Sequence, residues 1–212
     1  MMTIARYVAS QLRKPRGPFG RLLIAPLLNR ANAAMNALTL ESLGVGAGDR
    51  VLEVGFGGGA LLRALAAAHP GVTLHGADFS RDMAHGVQAR LRPLIAAGRL
   101  HLTCASVQAL PYADGAFSKI CTVNTLYFWP DCATGLAELR RVLSDGGELV
   151  IAIGDAEAMR KMPVTAHGFT IFTPGDVQRL LEAAGFSDIR VAHSPDSSRK
   201  FSAIKGRRVA SS

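Results

Sequence analysis

The chain has 212 residues, enough for one α/β domain to bury its own core without a metal or a disulfide. With 49% hydrophobic and 19% charged residues it is not a disordered chain, and three scattered cysteines (Cys104, Cys121, Cys132) exclude a disulfide framework and a zinc finger and fit a reducing, cytoplasmic setting. The formal net charge of +8 is uneven, with six basic residues from Arg6 to Arg30 ahead of the first acid, Glu41, and a second cluster at Arg199, Lys200, Lys205, Arg207 and Arg208.

Residues 1–48 read as a helical N-terminal extension. Ile4, Tyr7, Val8 and Leu12 fall at helical spacing, Pro15, Gly17 and Pro18 break that helix, and a second helical stretch runs from about Leu22 to Leu43. From Asp49 strands and helices alternate. A strand at Val51–Val54 is followed by a turn at Gly55–Gly59, a helix over Ala60–Ala68 and a strand at Val72–Ala77. A helix over Arg81–Ala97, with Pro93 inside it, leads to a strand at Leu100–Ala105 and another at Phe117–Val123. Asp131 caps a helix running to Leu143, Asp145-Gly146-Gly147 turns into a strand at Glu148–Ile153, and Thr173 caps a helix from Pro174 to Gly185. Strands near Ile189–Ala192 and Phe201–Ile204 close the chain as an antiparallel pair. The pattern predicts an α/β domain over residues 49–212, a mainly parallel sheet of about seven strands with helices on both faces. In such a sheet ligands lie beyond the carboxyl ends of the strands.

The first of those ends carries Gly55-Phe56-Gly57-Gly58-Gly59. Glycines there admit positive φ and close approach of a ligand, and the helix that follows offers free N–H groups. Asp78 closes the second strand about 20 residues on, where a carboxylate accepts hydrogen bonds from both hydroxyls of a ribose. The alternative is a turn used only for packing, with Asp78 as a helix cap. Gly55, Gly57 and Ala60 also satisfy a dinucleotide pattern, but Glu53 would repel a pyrophosphate at the strand end. S-adenosylmethionine carries an ammonium and a sulfonium, which both favour an acid nearby.

The segments VLEVGFGGG, HGADFSRDM, ALPYADGAFSKI and ELRRVLSDGGELVI, in that order, resemble a class I S-adenosylmethionine-dependent methyltransferase with a Rossmann-like fold, of the small-molecule branch that includes ubiquinone-type and sterol-type enzymes. The resemblance covers about residues 49–193. It implies that Glu53 lies near the methionine ammonium, that Gly55, Gly57 and Gly59 line the methionine portion, and that Asp78 holds the ribose. It further implies Phe79 and Met83 beside the adenine, Ser106, Val107 and Gln108 over the adenine edge, and Asn124 at the reacting end. Phe56 stands where the family has a small residue, implying a narrower pocket; Ser106 stands where it usually has Asp.

Tyr127, Phe128 and Trp129 follow the fourth strand. They read either as a wall for an apolar acceptor or for the sulfonium, with Tyr127 also a candidate catalytic hydroxyl, or as rings plugging the gap between strand and helix. Asn29 and Asn32 are candidate acceptor contacts from a helical lid, or ordinary surface amides. His167 is a candidate general base, or an incidental loop histidine. The expected reaction is methyl transfer to a small-molecule acceptor. The alternatives are a lipid or membrane-surface acceptor, with the basic N-terminus meeting anionic membrane, and a cofactor-binding module without catalysis. No motif points to nucleic acid or to a metal.

Overall fold

The computed structural model describes residues 32–196 and 200–210. The first element, α1 (Ala33–Leu43), sets Met35, Thr39 and Leu43 on one buried face at four-residue spacing. Thr39 Oγ1 donates to Met35 O at 2.8 Å, which satisfies the one polar group on that face. Gly44 ends the helix in the left-handed region, φ 56°. α1 packs on the sheet, so the end of the predicted extension is part of the core. The rest of that extension, including Asn29 and the basic arm from Arg6 to Arg30, lies outside the described residues.

The strands are β1 (Arg50–Val54), β2 (Thr73–Asp78), β3 (Leu100–Cys104), β4 (Phe117–Val123), β5 (Leu143–Gly154), β6 (Phe186–His193) and β7 (Phe201–Arg208). The helices between them are α2 (Ala60–Ala68), α3 (Arg81–Arg90), α4 (Arg92–Ala96), α5 (Cys132–Val142), α6 (Ala156–Arg160) and α7 (Pro174–Ala183). All seven strands form one sheet in the order β3-β2-β1-β4-β5-β7-β6; β7 runs antiparallel to both neighbours and the rest are parallel. Strand order reverses between β1 and β4, the point beyond whose strand ends sheets of this kind bind their ligands.

Each face of the sheet has its own apolar layer. Leu52, Val54, Ile120, Ile151 and Ile153 face one side with Leu136 and Leu139 of α5. Val51, Cys121 and Val150 face the other with Leu61, Leu62 and Leu65 of α2. Alternation along β1 therefore puts Glu53 on the α2 side, beneath the glycine turn.

Most predicted elements match within a residue or two. The helix expected over Arg81–Ala97 divides at Leu91, because Pro93 has no N–H to continue the ladder and instead sits in the first turn of α4. β5, β6 and β7 are longer than expected, and β5 starts at Leu143 and runs through the Asp145-Gly146-Gly147 segment expected as a turn. The charged end of β7 is held internally: Lys205 pairs with Glu148 at 3.3 Å, Arg208 with Asp145 at 2.9 Å, and Arg208 Nη1 donates to the carbonyls of Arg140 and Arg141 at 2.9 and 3.1 Å. That part of the C-terminal basic cluster serves the fold.

Candidate active site

The glycine turn is fixed from both ends. Gly55 N donates to Ala77 O at 2.7 Å, and Gly59 N donates to Phe56 O at 2.7 Å. Gly55, Gly57 and Gly59 have φ of 74°, 46° and 73°. A Cβ on Gly55 would lie 2.3 Å from Thr125 Cγ2 and one on Gly59 2.8 Å from Val87 Cγ1, whereas one on Gly57 would meet nothing within 4 Å. Two of the glycines are thus demanded by packing, and the third faces open space on the side a ligand would approach. Arg90, which the sequence reading missed, steadies the turn by donating from Nη2 to Gly58 O at 3.2 Å.

Phe56 departs from expectation. Its ring lies in the α2-side apolar layer, and a Cβ on Gly76 of β2 would come within 2.8 Å of it. The ring does not narrow the ligand side; it fills the core over a strand glycine, so position 56 and position 76 are sterically matched.

Asp78 reaches back to the turn. Its Oδ2 accepts the Gly57 N–H at 3.0 Å and its Oδ1 the Ser80 N–H at 2.8 Å. Glu53 differs. Its side chain is buried, 3% exposed, and Oε2 has no hydrogen-bond partner. Burial first, then the Asp78 charge, push its pKa up to about 8, against a smaller opposing effect of the Leu62 N–H at the start of α2. A buried acid with an unused oxygen beside a glycine cradle fits a cationic ligand group.

The other cofactor candidates arrange around Asp78. Phe79 is 43% exposed at the mouth of β2, while Met83 is buried beneath it in α3. Ala105 N donates to Asp78 O at 3.0 Å, which brings the loop after β3 alongside. In that loop Ser106 is exposed and its Oγ accepts the Gln108 N–H at 3.2 Å, while Val107 is buried in the α5-side layer. Val107 therefore supports the loop from below.

On the β4 side the aromatics take the second of the two readings, as rings that fill the gap between strand and helix. Tyr127 is buried, and its hydroxyl is engaged twice: it donates to Asn124 Oδ1 at 3.0 Å and accepts the Gly154 N–H at 2.6 Å. Burial pushes its pKa far above the usual phenol value. Such a hydroxyl is a strut between the ends of β4 and β5 and not a base or an acceptor clamp. Trp129 Nε1 donates to Thr125 Oγ1 at 3.2 Å, and its ring lies over α5, where a Cβ on Gly135 would be 2.8 Å away. Thr125 in turn bonds Thr122, whose Oγ1 donates to Val54 O at 2.8 Å. The threonines carry Trp129's support to the end of β1; sequence gave no signal of them, because their role depends on a neighbouring strand.

Asn124 adopts φ 56°, a left-handed conformation that asparagine tolerates. Its Nδ2 donates to Asn32 Oδ1 at 2.9 Å. Asn32 is thereby an anchor for the start of α1, with its carbonyl already used. His167 is exposed after a short 3-10 turn, and no described side chain orients its ring. Among the described residues it has no partner of the kind that orients a general base. A cleft of about 320 Å³ opens beside Gly154 at the end of β5, walled by Asp155, His193, Lys200 and Ser202, with His193 Nδ1 and Ser202 Oγ 2.9 Å apart.

Seven strands in this order, a glycine turn over β1 and an acid closing β2 define the class: the chain belongs to the class I S-adenosylmethionine-dependent methyltransferases. A family model described as a methyltransferase domain matches residues 51–147. The chain is 30% identical over 160 residues to the uncharacterized methyltransferase YdaC of Bacillus subtilis, covering 76% of this chain and 83% of that one. It is 31% identical over 105 residues to the ubiquinone/menaquinone biosynthesis C-methyltransferase UbiE of Geotalea uraniireducens, across 49% of this chain and 45% of that enzyme. Among solved structures, a SAM-dependent methyltransferase from Aquifex aeolicus superposes with TM-score 0.73 at 18% identity, over 96% of this chain and 98% of that one, which speaks to the fold. The chain is an enzyme of methyl transfer.

Proposed function

We propose that this enzyme seats S-adenosylmethionine across the glycine turn and transfers its methyl group to a small molecule. Gly57 gives the methionine portion open backbone to lie against, Glu53 faces its positive charge, and Asp78 accepts the ribose hydroxyls. Phe79 and the Ser106–Gln108 loop flank the adenine, and Asn124 stands at the reacting end. The observation that carries the reading is the pairing of Glu53 Oε2, buried without a partner, with the Asp78 carboxylate bonded to the turn. A dinucleotide would set a pyrophosphate against that acid.

The bound group supplies a methyl carbon already activated by a sulfonium. The protein's work is to hold donor and acceptor in line and exclude water, which accounts for roughly 7–11 kcal/mol of barrier lowering in well-oriented reactions. Tyr127 contributes by fixing the separation of the β4 and β5 ends. The cleft of about 320 Å³ beside Gly154 supports a small acceptor, being at the low end of ligand-pocket sizes. The cytoplasm suits three cysteines that all stand free.

Isothermal titration with S-adenosylhomocysteine tests the cofactor reading: micromolar or tighter binding that Asp78→Ala removes supports it, and absence of binding overturns it. If deleting residues 1–20 leaves product affinity intact but abolishes flotation on anionic liposomes, the acceptor belongs at a membrane surface instead.

A further inference from the structure

The glycine turn stands beside two buried acids that are hydrogen-bonded very differently. Asp78 takes an N–H on each oxygen. Glu53 lies deeper, on the neighbouring strand, with β2 on one side and β4 on the other. Among the described residues the groups facing it are the Asp78 carboxylate from β2, the Cys121 thiol from β4 and the Leu62 N–H from α2. Burial raises the pKa of that thiol, so it stays neutral and offers no counter-charge. Among the described residues no Lys, Arg or His forms an ion pair with Glu53.

A carboxylate in this position has lost its water, meets one N–H and faces a like charge. Such a group avoids ionisation by keeping its proton. We infer that Glu53 is a neutral acid in the ligand-free enzyme and gives its proton to solvent when a ligand ammonium arrives, so that cofactor binding is a proton-releasing step. The balance is simple: a carboxylic acid and a ligand cation become a carboxylate–cation pair, and one proton passes to the buffer. This rests on the cofactor assignment above and adds to it a linkage to pH.

The sign follows from linkage. Only the ionised fraction of Glu53 is ready for the cation, and with a pKa of about 8 that fraction grows as pH rises. If the pair lowers the bound value well below 6, affinity increases about ninefold from pH 6 to 7 and about fivefold from pH 7 to 8, then levels off. At pH 7 about nine-tenths of a proton is released per ligand, and at pH 8 about half.

The test is calorimetry of the full chain with S-adenosylhomocysteine, whose amine stays protonated from pH 6 to 8. Titrations in phosphate, HEPES and Tris separate the heat of buffer protonation from the heat of binding. The slope of observed heat against buffer ionisation heat gives the proton count. The expected slope is close to one proton released at pH 7 and half that at pH 8. Methylthioadenosine, which lacks the ammonium, binds without release. A wild-type slope near zero at pH 7 alongside clear binding overturns the inference and leaves the cofactor assignment standing; no binding of either ligand overturns the assignment itself. Equal release with methylthioadenosine also overturns it, since the ammonium would not be the cause. Glu53→Gln, checked for folding by circular dichroism, should bind with no release and with affinity flat between pH 6 and 8.

Discussion

Replacing Glu53 by Gln should make the enzyme progressively more stable than wild type as pH rises. The unfolded carboxyl titrates near 4.5 and the folded one near 8. Because the folded value is raised, the group's favourable contribution is complete below 4.5 and is lost as pH climbs through 8. Each pH unit between those limits costs about 1.4 kcal/mol. The amide does not titrate, and any cost of burying it is the same at every pH. The stability difference between variant and wild type should therefore grow by about 3 kcal/mol from pH 5.5 to pH 8. For a chain of this length that is roughly 6–12 °C in Tm. The assay is thermal or urea unfolding of both proteins, ligand-free, at several pH values in one salt concentration. Titrating groups that do not interact with Glu53 cancel in the difference. Unfolding curves whose separation stays constant across that range would refute the claim that Glu53 is held neutral.

Three further substitutions probe the packing that shapes the site. Gly55→Ala puts a Cβ 2.3 Å from Thr125 Cγ2 at a φ of 74°, and should lower Tm sharply and weaken product binding; adding Thr125→Ser, which removes that methyl and keeps the hydroxyl for Trp129, should recover part of the stability. Gly76→Ala drives a methyl to 2.8 Å from the Phe56 ring and should cost about 1–3 kcal/mol in urea unfolding, with Phe56→Leu in the same chain restoring some of it. Tyr127→Phe leaves the Gly154 N–H and Asn124 Oδ1 without their partner and should cost about 1–3 kcal/mol, a cost unchanged between pH 6 and 9 because the phenol stays protonated throughout.

What could be read from sequence was what depends on local chemistry. Asp131 accepts the Ala133 and Thr134 N–H groups, and Thr173 and Asp176 close a capping box, because a cap needs only residues two or three positions away. The glycine turn and Asp78 were legible for the same reason: positive φ and a strand-ending acid leave marks in a short window. The direction of a side chain was not legible. Motif position puts Phe56 at the pocket, but a glycine on the next strand decides where its ring goes. Sequence leaves Tyr127 open between a catalytic hydroxyl and a gap-filling ring, and Gly154 and Asn124 use both of its hydrogen-bonding roles. The insertion of β7 between β5 and β6, and the internal pairing of Lys205 and Arg208, likewise depend on contacts distant in sequence.

The two acids beneath the turn show how a fold can hold one charge ready and another in reserve. Asp78 has two backbone donors, Gly57 N and Ser80 N, which favour a charge on its carboxylate. Glu53 has one, and pays for its place in the core by staying uncharged. A ligand cation then does for Glu53 what the two N–H groups do for Asp78. The stability lost to the buried acid at high pH is returned when the cation binds, so the rise in Tm that S-adenosylhomocysteine produces should be larger at pH 8 than at pH 6. In Glu53→Gln that increment should be the same at both. A thermal-shift series on the two proteins thus reads the same linkage from the folding side as calorimetry reads from the binding side, and the two must agree if one proton on one side chain is responsible.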